Sequence, residues 1–258
     1  MIYCIKNKAI QLIDLTVITA HYNDIKNLIK TYKSLRSQSF KNWKLLVVDS
    51  FTPNIFDLLS SEILNDTRVT ILPLESSIYD AMNYGILLAN SHYFQILNSG
   101  TTYKSNFVLE KTMKKVNDFH NKQGASLHLF EMEIIDKGKI IFLNKPKNIY
   151  FPIQCGHEAT IYPNKYKDKI LHNQKYNVAA DSAFIIDYAD KYVPIFHNFP
   201  LVKYPKGGVS DTKYDINEKL LSHLLILKKT LLRMKLIASF YLIIRILKDL
   251  TRKIIYRK

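Results

Sequence analysis

Ser77-Ile-Tyr-Asp-Ala-Met-Asn-Tyr-Gly-Ile-Leu-Leu-Ala-Asn-Ser-His-Tyr-Phe-Gln-Ile-Leu-Asn-Ser-Gly100 sets a short helix against a strand that stops at a polar turn. Ala81, Met82, Ile86 and Ala89 fall near helical spacing, while Tyr93-Phe94-Gln95-Ile96-Leu97 is an apolar run of the kind that forms a strand covered on both faces. The break at Asn98-Ser99-Gly100 leaves small polar groups at a strand's carboxyl end, where open α/β sheets bind ligands.

Upstream of this stretch, Leu15-Thr-Val-Ile-Thr-Ala20 reads as a first strand, and Ile25, Leu28, Ile29, Tyr32 and Leu35 form one stripe on a helix from Asp24 to Arg36. Trp43 to Asp49 is a second strand ending in an acid, Ile55 to Leu64 resumes helical periodicity, and Arg68 to Leu72 makes a third strand before Pro73. The β-α-β-α-β order predicts a mostly parallel, Rossmann-like sheet with right-handed crossovers and a nucleotide-sized crevice at the strand ends. Downstream, Phe107 to Asn121 reads as a helix, Ser126 to Ile135 as a strand, and Asp136-Lys-Gly138 as a hairpin turn into Lys139 to Leu143, which predicts a mixed second half. Pro146 to Pro163 reads as loop, and Asn177 to Ala189 as a further helix.

The chain has 258 residues, 47% of them apolar, enough for a sizeable core. Its net charge of +15 is unevenly placed: residues 219–258 hold eleven Lys and Arg against Asp249 alone, so +10 of it sits in the tail. That distribution argues against a nucleic-acid-binding face spread over the body, and no nucleic-acid partner is expected. The absence of a GxGxxG after the first strand argues against a dinucleotide oxidoreductase. Cys4 and Cys155 lie far apart and form no zinc-site spacing, and the first residues show no basic segment followed by an apolar core, so a cytoplasmic location is expected.

The tail reads as a unit of its own, which divides the chain into a body of residues 1–215 and a basic helical tail of residues 216–258. Phe240, Ile243, Leu247, Leu250 and Ile254 recur at spacings of 3, 4, 3 and 4, with Arg245, Lys248, Arg252 and Lys253 on the opposite arc. The longest apolar run, Leu236 to Ile244, spans nine residues against the roughly 20 needed to cross a bilayer. Such a helix suits the surface of an anionic membrane, and equally a packing face on its own domain or a coiled-coil seam.

Taken together, Leu15 to Asn23, Leu46-Val-Val-Asp49, Ile78-Tyr-Asp-Ala-Met-Asn-Tyr-Gly85, Leu97-Asn-Ser-Gly100, His157-Glu-Ala-Thr160, Ala179-Ala-Asp181 and Gly207-Gly-Val-Ser210 resemble the family-2 glycosyltransferases of the GT-A fold. The likeness is nearest to the bacterial branch that builds capsule, exopolysaccharide and lipopolysaccharide O-chains, and it spans about residues 14–212.

The resemblance implies that Ala20, His21 and Tyr22 hold the donor nucleotide, with Tyr22 either stacking on the base or simply packing. It places Asp49 to accept the uracil N3 proton, unless that acid is a helix cap. Asp80 and Asn83 would approach base and ribose, although Asp80 also suits a helix amino terminus by its charge. Asn98, Ser99 and Gly100 would border the diphosphate. Family members carry an acidic DxD-like cluster here for Mn²⁺ or Mg²⁺, and Asn98-Ser99-Gly100-Thr101 has no acid, so a metal is weakly supported and Lys104, Lys203 or Lys206 would have to help. Gly207 and Gly208 offer backbone N–H groups to phosphate.

Asp181 is the expected catalytic base, with a helix-capping role as the competing reading. Glu158 is an alternative base, and His157 would line the acceptor or donor-sugar pocket. His92, His120, His128 and His172 read as structural. The expected activity is inverting transfer of a hexose from a nucleotide sugar, UDP by analogy, to a saccharide or lipid-linked acceptor at the inner membrane face. A degenerate homologue that binds a nucleotide sugar or a partner enzyme without turnover is the competing class.

Overall fold

The computed structural model describes residues 15–147, 156–175 and 180–207, with isolated positions between 224 and 247. Strand β1 (Leu15–His21) is buried at every position. It pairs in parallel with β2 (Trp43–Asp49) on one side and β4 (Tyr93–Ile96) on the other, and β3 (Val69–Pro73) adds to β2. The chain thus reverses its direction of growth between β1 and β4, the point at which an open sheet leaves a crevice at its carboxyl edge.

Alternate residues of β1 serve opposite layers, as strand geometry demands. Leu15 and Val17 join a core with Leu28 and Tyr32 of α1 (Ile25–Arg36) and Leu109 and Met113 of α5 (Val108–Gln123). Ile18 and Ala20 join a second core with Ala81, Met82 and Ile86 of α4 (Ile78–Leu88) and Phe184 of α6 (Ala180–Ala189). Asp24 caps α1 by accepting from Asn27 N, and Ser77 caps α4 by accepting from Asp80 N.

The second half is mixed, as the hairpin signal predicts. The full order is β3-β2-β1-β4-β8-β6-β9-β5, with β7 on the outer side of β6, where β5 is Thr102–Tyr103, β6 Leu127–Asp136, β7 Lys139–Asn144, β8 Thr160–Pro163 and β9 Pro194–Pro205. Strand β8 is antiparallel to both β4 and β6, so β6 runs in the same sense as β4 and ends on the same edge of the sheet.

Four elements differ from the sequence expectations. The helix over Ile55 to Leu64 is two single turns, α2 (Ile55–Leu58) and α3 (Ser61–Leu64), broken where Leu59 and Ser60 are extended. Strand β8 lies inside a stretch that reads as loop, and β5 is too short to register as a period. The long β9 is hidden by Pro194, Pro200 and Pro205: proline cannot donate to a ladder, and the register jumps from Phe130↔His197 to Glu131↔Pro200. The tail helix lies almost wholly outside the described residues. No helix among the described residues is long and apolar enough to cross a membrane.

Gly85 sets how closely α4 can lie on the sheet. A Cβ there would overlap Ile18 Cγ2 and sit 3.4 Å from Val48 Cγ2. Gly85→Ala is therefore expected to cost about 1–3 kcal/mol through overpacking, read as a lowered midpoint in urea unfolding.

Candidate functional site

The turn after β4 is held from below by α1. Gly100 N donates to Thr31 Oγ1 at 2.9 Å and to Asn27 O at 3.2 Å, and Thr31 Oγ1 donates to Thr101 O at 2.9 Å. Gly100 has φ +95, and a Cβ on it would press against Asn27 Cγ at 3.2 Å and Pro205 Cγ at 3.4 Å. The same closeness to Pro205 brings the end of β9, Lys206 and Gly207, beside the turn.

Two branches leave this turn. Ser99 Oγ approaches His21 Nδ1 at 3.5 Å, and His21 Nε2 lies 3.9 Å from Asp49 Oδ1 at the adjoining strand end. Asp49 is fully buried, and its carboxylate accepts from Thr52 N at 2.7 Å and Thr52 Oγ1 at 2.6 Å. Burial lowers the His21 imidazole, against the attraction of Asp49. Ala20 is buried behind this branch, whereas Tyr22 is 68% exposed and presents its ring at the edge. Asn23, Phe51 and Asn54 all have positive φ around it, backbone strain concentrated where β1 and β2 end.

The second branch begins at Asn98, whose Nδ2 lies 3.0 Å from His157 Nε2 and 2.9 Å from Glu158 Oε1. His157 and Glu158 belong to a single 3-10 turn that runs into β8, fixed from beneath by Gln95 Nε2 donating to Glu158 O at 2.6 Å. On its other side His157 Nδ1 meets Asp181 Oδ2 at 2.8 Å, and Asp181 Oδ1 faces His172 Nε2 at 3.4 Å. His172 is gripped by Asn83, which accepts from His172 N at 2.7 Å and donates to His172 O at 3.0 Å. Its ring stacks on Phe184 with centroids 4.1 Å apart. Gln174 then donates to Asp80 Oδ1 at 2.7 Å.

The electrostatics follow from this packing. Burial alone would lower the His157 imidazole, but the Asp181 and Glu158 carboxylates outweigh it and push it up to about 9. Burial works against ionising Asp181, yet His157 and then His172 hold it well below the usual carboxylate range. Glu158 moves the other way, its carboxyl raised chiefly by burial, and burial lowers His172. Asn98 Nδ2 donates to Glu158 Oε1, whereas its contact with the charged His157 Nε2 sets donor against donor. Turning the amide would give His157 an acceptor and a partner to the orphaned buried Oδ1, but would set that oxygen against the Glu158 carboxylate.

The geometry separates the two candidate bases. Glu158 is walled in, while Asp181 keeps 30% of its side chain exposed and stands ionised. Asp181 also lies inside the first turn of α6, with its carboxylate on the two imidazoles, so it is not the helix cap of the competing reading. Asp80 sits in the first turn of α4 and accepts from Ser77 Oγ at 2.7 Å, the local role its charge suits. Lys104 is paired with Glu133, and Lys206 lies 3.8 Å from Asp136. Gly207 has φ +104, and Gly208 lies outside the described residues.

The sequence reading missed two groups. His172 is not a detached structural histidine but a wall of the Asp181 site, and Phe51, 63% exposed beside Asp49, carries no motif. The turn does not suit a hard divalent cation: Asn98 and Ser99 face His157, Glu158 and His21, and Thr101 adds only a buried hydroxyl. No group of three or more His, Cys, Asp or Glu placed to hold a metal ion occurs among the described residues.

The profile of glycosyl transferase family 2 matches residues 16–151. The teichoic acid poly(glycerol phosphate) polymerase of Staphylococcus epidermidis is 24% identical over 217 residues, which cover 76% of this chain and 29% of that protein. The chain thus spans less than a third of that relative's length. The crystal structure of S. aureus TarS 1-349 in complex with UDP-GlcNAc has a TM-score of 0.65 at 17% identity, over 83% of this chain and 65% of that one. The same fragment with UDP has a TM-score of 0.59 at 14% identity, over 82% and 64%. At these identities the likeness establishes a shared GT-A fold.

His157 ties stability to pH. Its folded value of about 9 lies above the ordinary 6.5, so its contribution is fully present below pH 6.5 and is lost as pH rises through about 9. Across that window the urea midpoint of the wild type is expected to fall relative to that of His157→Gln. Parallel curves would mean that His157 is not held charged.

Proposed function

The chain belongs to glycosyl transferase family 2, and from that premise we propose that it transfers a hexose from a nucleotide sugar to a saccharide or lipid-linked saccharide, with inversion. The observation that carries this reading is Asp181: one ionised carboxylate, partly exposed, oriented by His157 at 2.8 Å on the edge where β1, β2 and β4 end. Asp181 takes the proton from an acceptor hydroxyl, the hydroxyl oxygen attacks the anomeric carbon, and the bond from that carbon to the diphosphate oxygen breaks. The nucleoside diphosphate leaves on the opposite face.

Tyr22 and Asp49 mark the nucleoside end of the groove in this reading, and Asn98 to Gly100 mark the diphosphate. The charge that grows on the leaving group is met in this reading by a cation of the chain, Lys206 beside the turn. A bound divalent cation would supply the same compensation; the polar groups of the turn do not form its ligand set. UDP is the nucleotide to test first, because TarS shares the fold and was crystallised with UDP-GlcNAc. The Staphylococcus epidermidis relative directs attention to a bacterial cell-surface polymer as product. The basic tail would hold the enzyme against the inner membrane face, near a lipid-linked acceptor.

A second reading is favoured by the turn's lack of acids: a homologue that binds nucleotide sugar without turnover. Incubation with UDP-sugars and candidate acceptors, with and without Mn²⁺, separates the two. Transfer by the wild type is expected to fall about 10²–10⁴-fold in Asp181→Asn while the Kd for UDP changes little. Nucleotide binding with no turnover under any condition would establish the second reading.

A further inference from the structure

The hairpin of β6 and β7 carries a feature that neither catalysis nor the core uses. Lys137 and Gly138 form its two-residue turn with φ +48 and +80, both in the left-handed region that a tight hairpin requires. Just beyond the turn, Ile140, Ile141 and Phe142 are 55%, 51% and 56% exposed. The ladder pairs Ile135 with Ile140 and Ile134 with Phe142, so Ile141 lies in a bulge without a partner strand residue. Three consecutive large apolar side chains are thus exposed together, although alternate strand residues point to opposite faces. That shape is a wedge, apolar on both sides, and not one flat face awaiting a matching protein surface.

The wedge is framed by cations. Lys137, Lys139, Lys145 and Lys147 are all exposed, and none of them is ion-paired among the described residues. The acids of the adjoining strand ends are already matched: Glu133 by Lys104, and Asp136 by Lys206 at 3.8 Å. An apolar strand flanked by lysines that are without an ion pair among the described residues is complementary to a surface with negative charge outside and hydrocarbon beneath. A second copy of this hairpin, or the basic tail of this chain, would bring like charge against it.

We propose that the β6–β7 hairpin inserts Ile140, Ile141 and Phe142 into the interface of an anionic lipid bilayer, with Lys137, Lys139, Lys145 and Lys147 against the headgroups. Strand β6 ends on the same sheet edge as β4, so this contact turns the edge bearing Asn98 and Asp181 toward the membrane. The inference goes beyond the transfer chemistry and holds for either reading of it.

Trp43 is the sole tryptophan of the chain and is buried, so Phe142→Trp in the full-length protein provides a local reporter over a constant background. Ile140→Trp is a second reporter at another exposed position. On vesicles of phosphatidylcholine with phosphatidylglycerol, the introduced indole is expected to shift to the blue and to be quenched by lipids brominated on their acyl chains. Both effects should weaken on phosphatidylcholine alone and be reversed by high salt. Replacing the four lysines by Gln should lower partitioning into the anionic vesicles by about fivefold per residue. Three results would overturn the inference: no vesicle binding; vesicle binding with indole emission unmoved in both reporters, which assigns the contact to another segment; or an equal blue shift with soluble polyglutamate, which points to an acidic polypeptide.

Discussion

The Asn98 amide, held between the His157 imidazole and the Glu158 carboxyl, is the constraint on which the candidate site depends. An amide has one accepting and one donating end, so its orientation and the protonation of its two neighbours are a single choice. The Asp181 and Glu158 carboxylates hold His157 charged against its burial, and that charge in turn keeps Asp181 ionised. A carboxylate so strongly held is a weak base at rest. In the proposed reaction its basicity must rise as the acceptor hydroxyl arrives, and the pair with His157 titrates as a unit and not as two separate groups.

The turn that carries Asn98 also carries Ser99, and the two side chains face opposite ways. Asn98 reaches the base cluster, while Ser99 approaches His21 and, through it, Asp49. The His21–Asp49 branch and the His157–Asp181 branch, the nucleotide and acceptor ends in the proposed reading, are thus joined by two adjacent residues on one strand end. Thr31 of α1 clamps the turn from the opposite side, so a shift of α1 would move both ends together.

The first half of the fold was legible because its strands are continuous apolar runs and its helices carry clean stripes. From Leu15 to Pro73 strand and helix alternate in the order that a parallel sheet requires, apart from the break at Leu59 and Ser60. The second half hid its longest strand, since Pro194, Pro200 and Pro205 argue against a ladder that a bulge in fact accommodates. In the site, the motif positions were legible one by one, but their partners were not. Asn83 grips His172 across 89 residues of sequence, a contact that no local pattern encodes. For the same reason His172 looked detached until the segment carrying it was laid against Asp181 and Phe184. Phe51 was invisible because exposure and positive φ are properties of the folded backbone.

The most direct test is a crystal structure with an unhydrolysable UDP-sugar. The base should lie between Tyr22 and Asp49, the diphosphate along Asn98 to Gly100, and the anomeric carbon should face the Asp181 carboxylate with His157 still bound to it. A nucleotide seated elsewhere, or an Asp181 screened from the sugar by His157 and Glu158, would contradict the assignment.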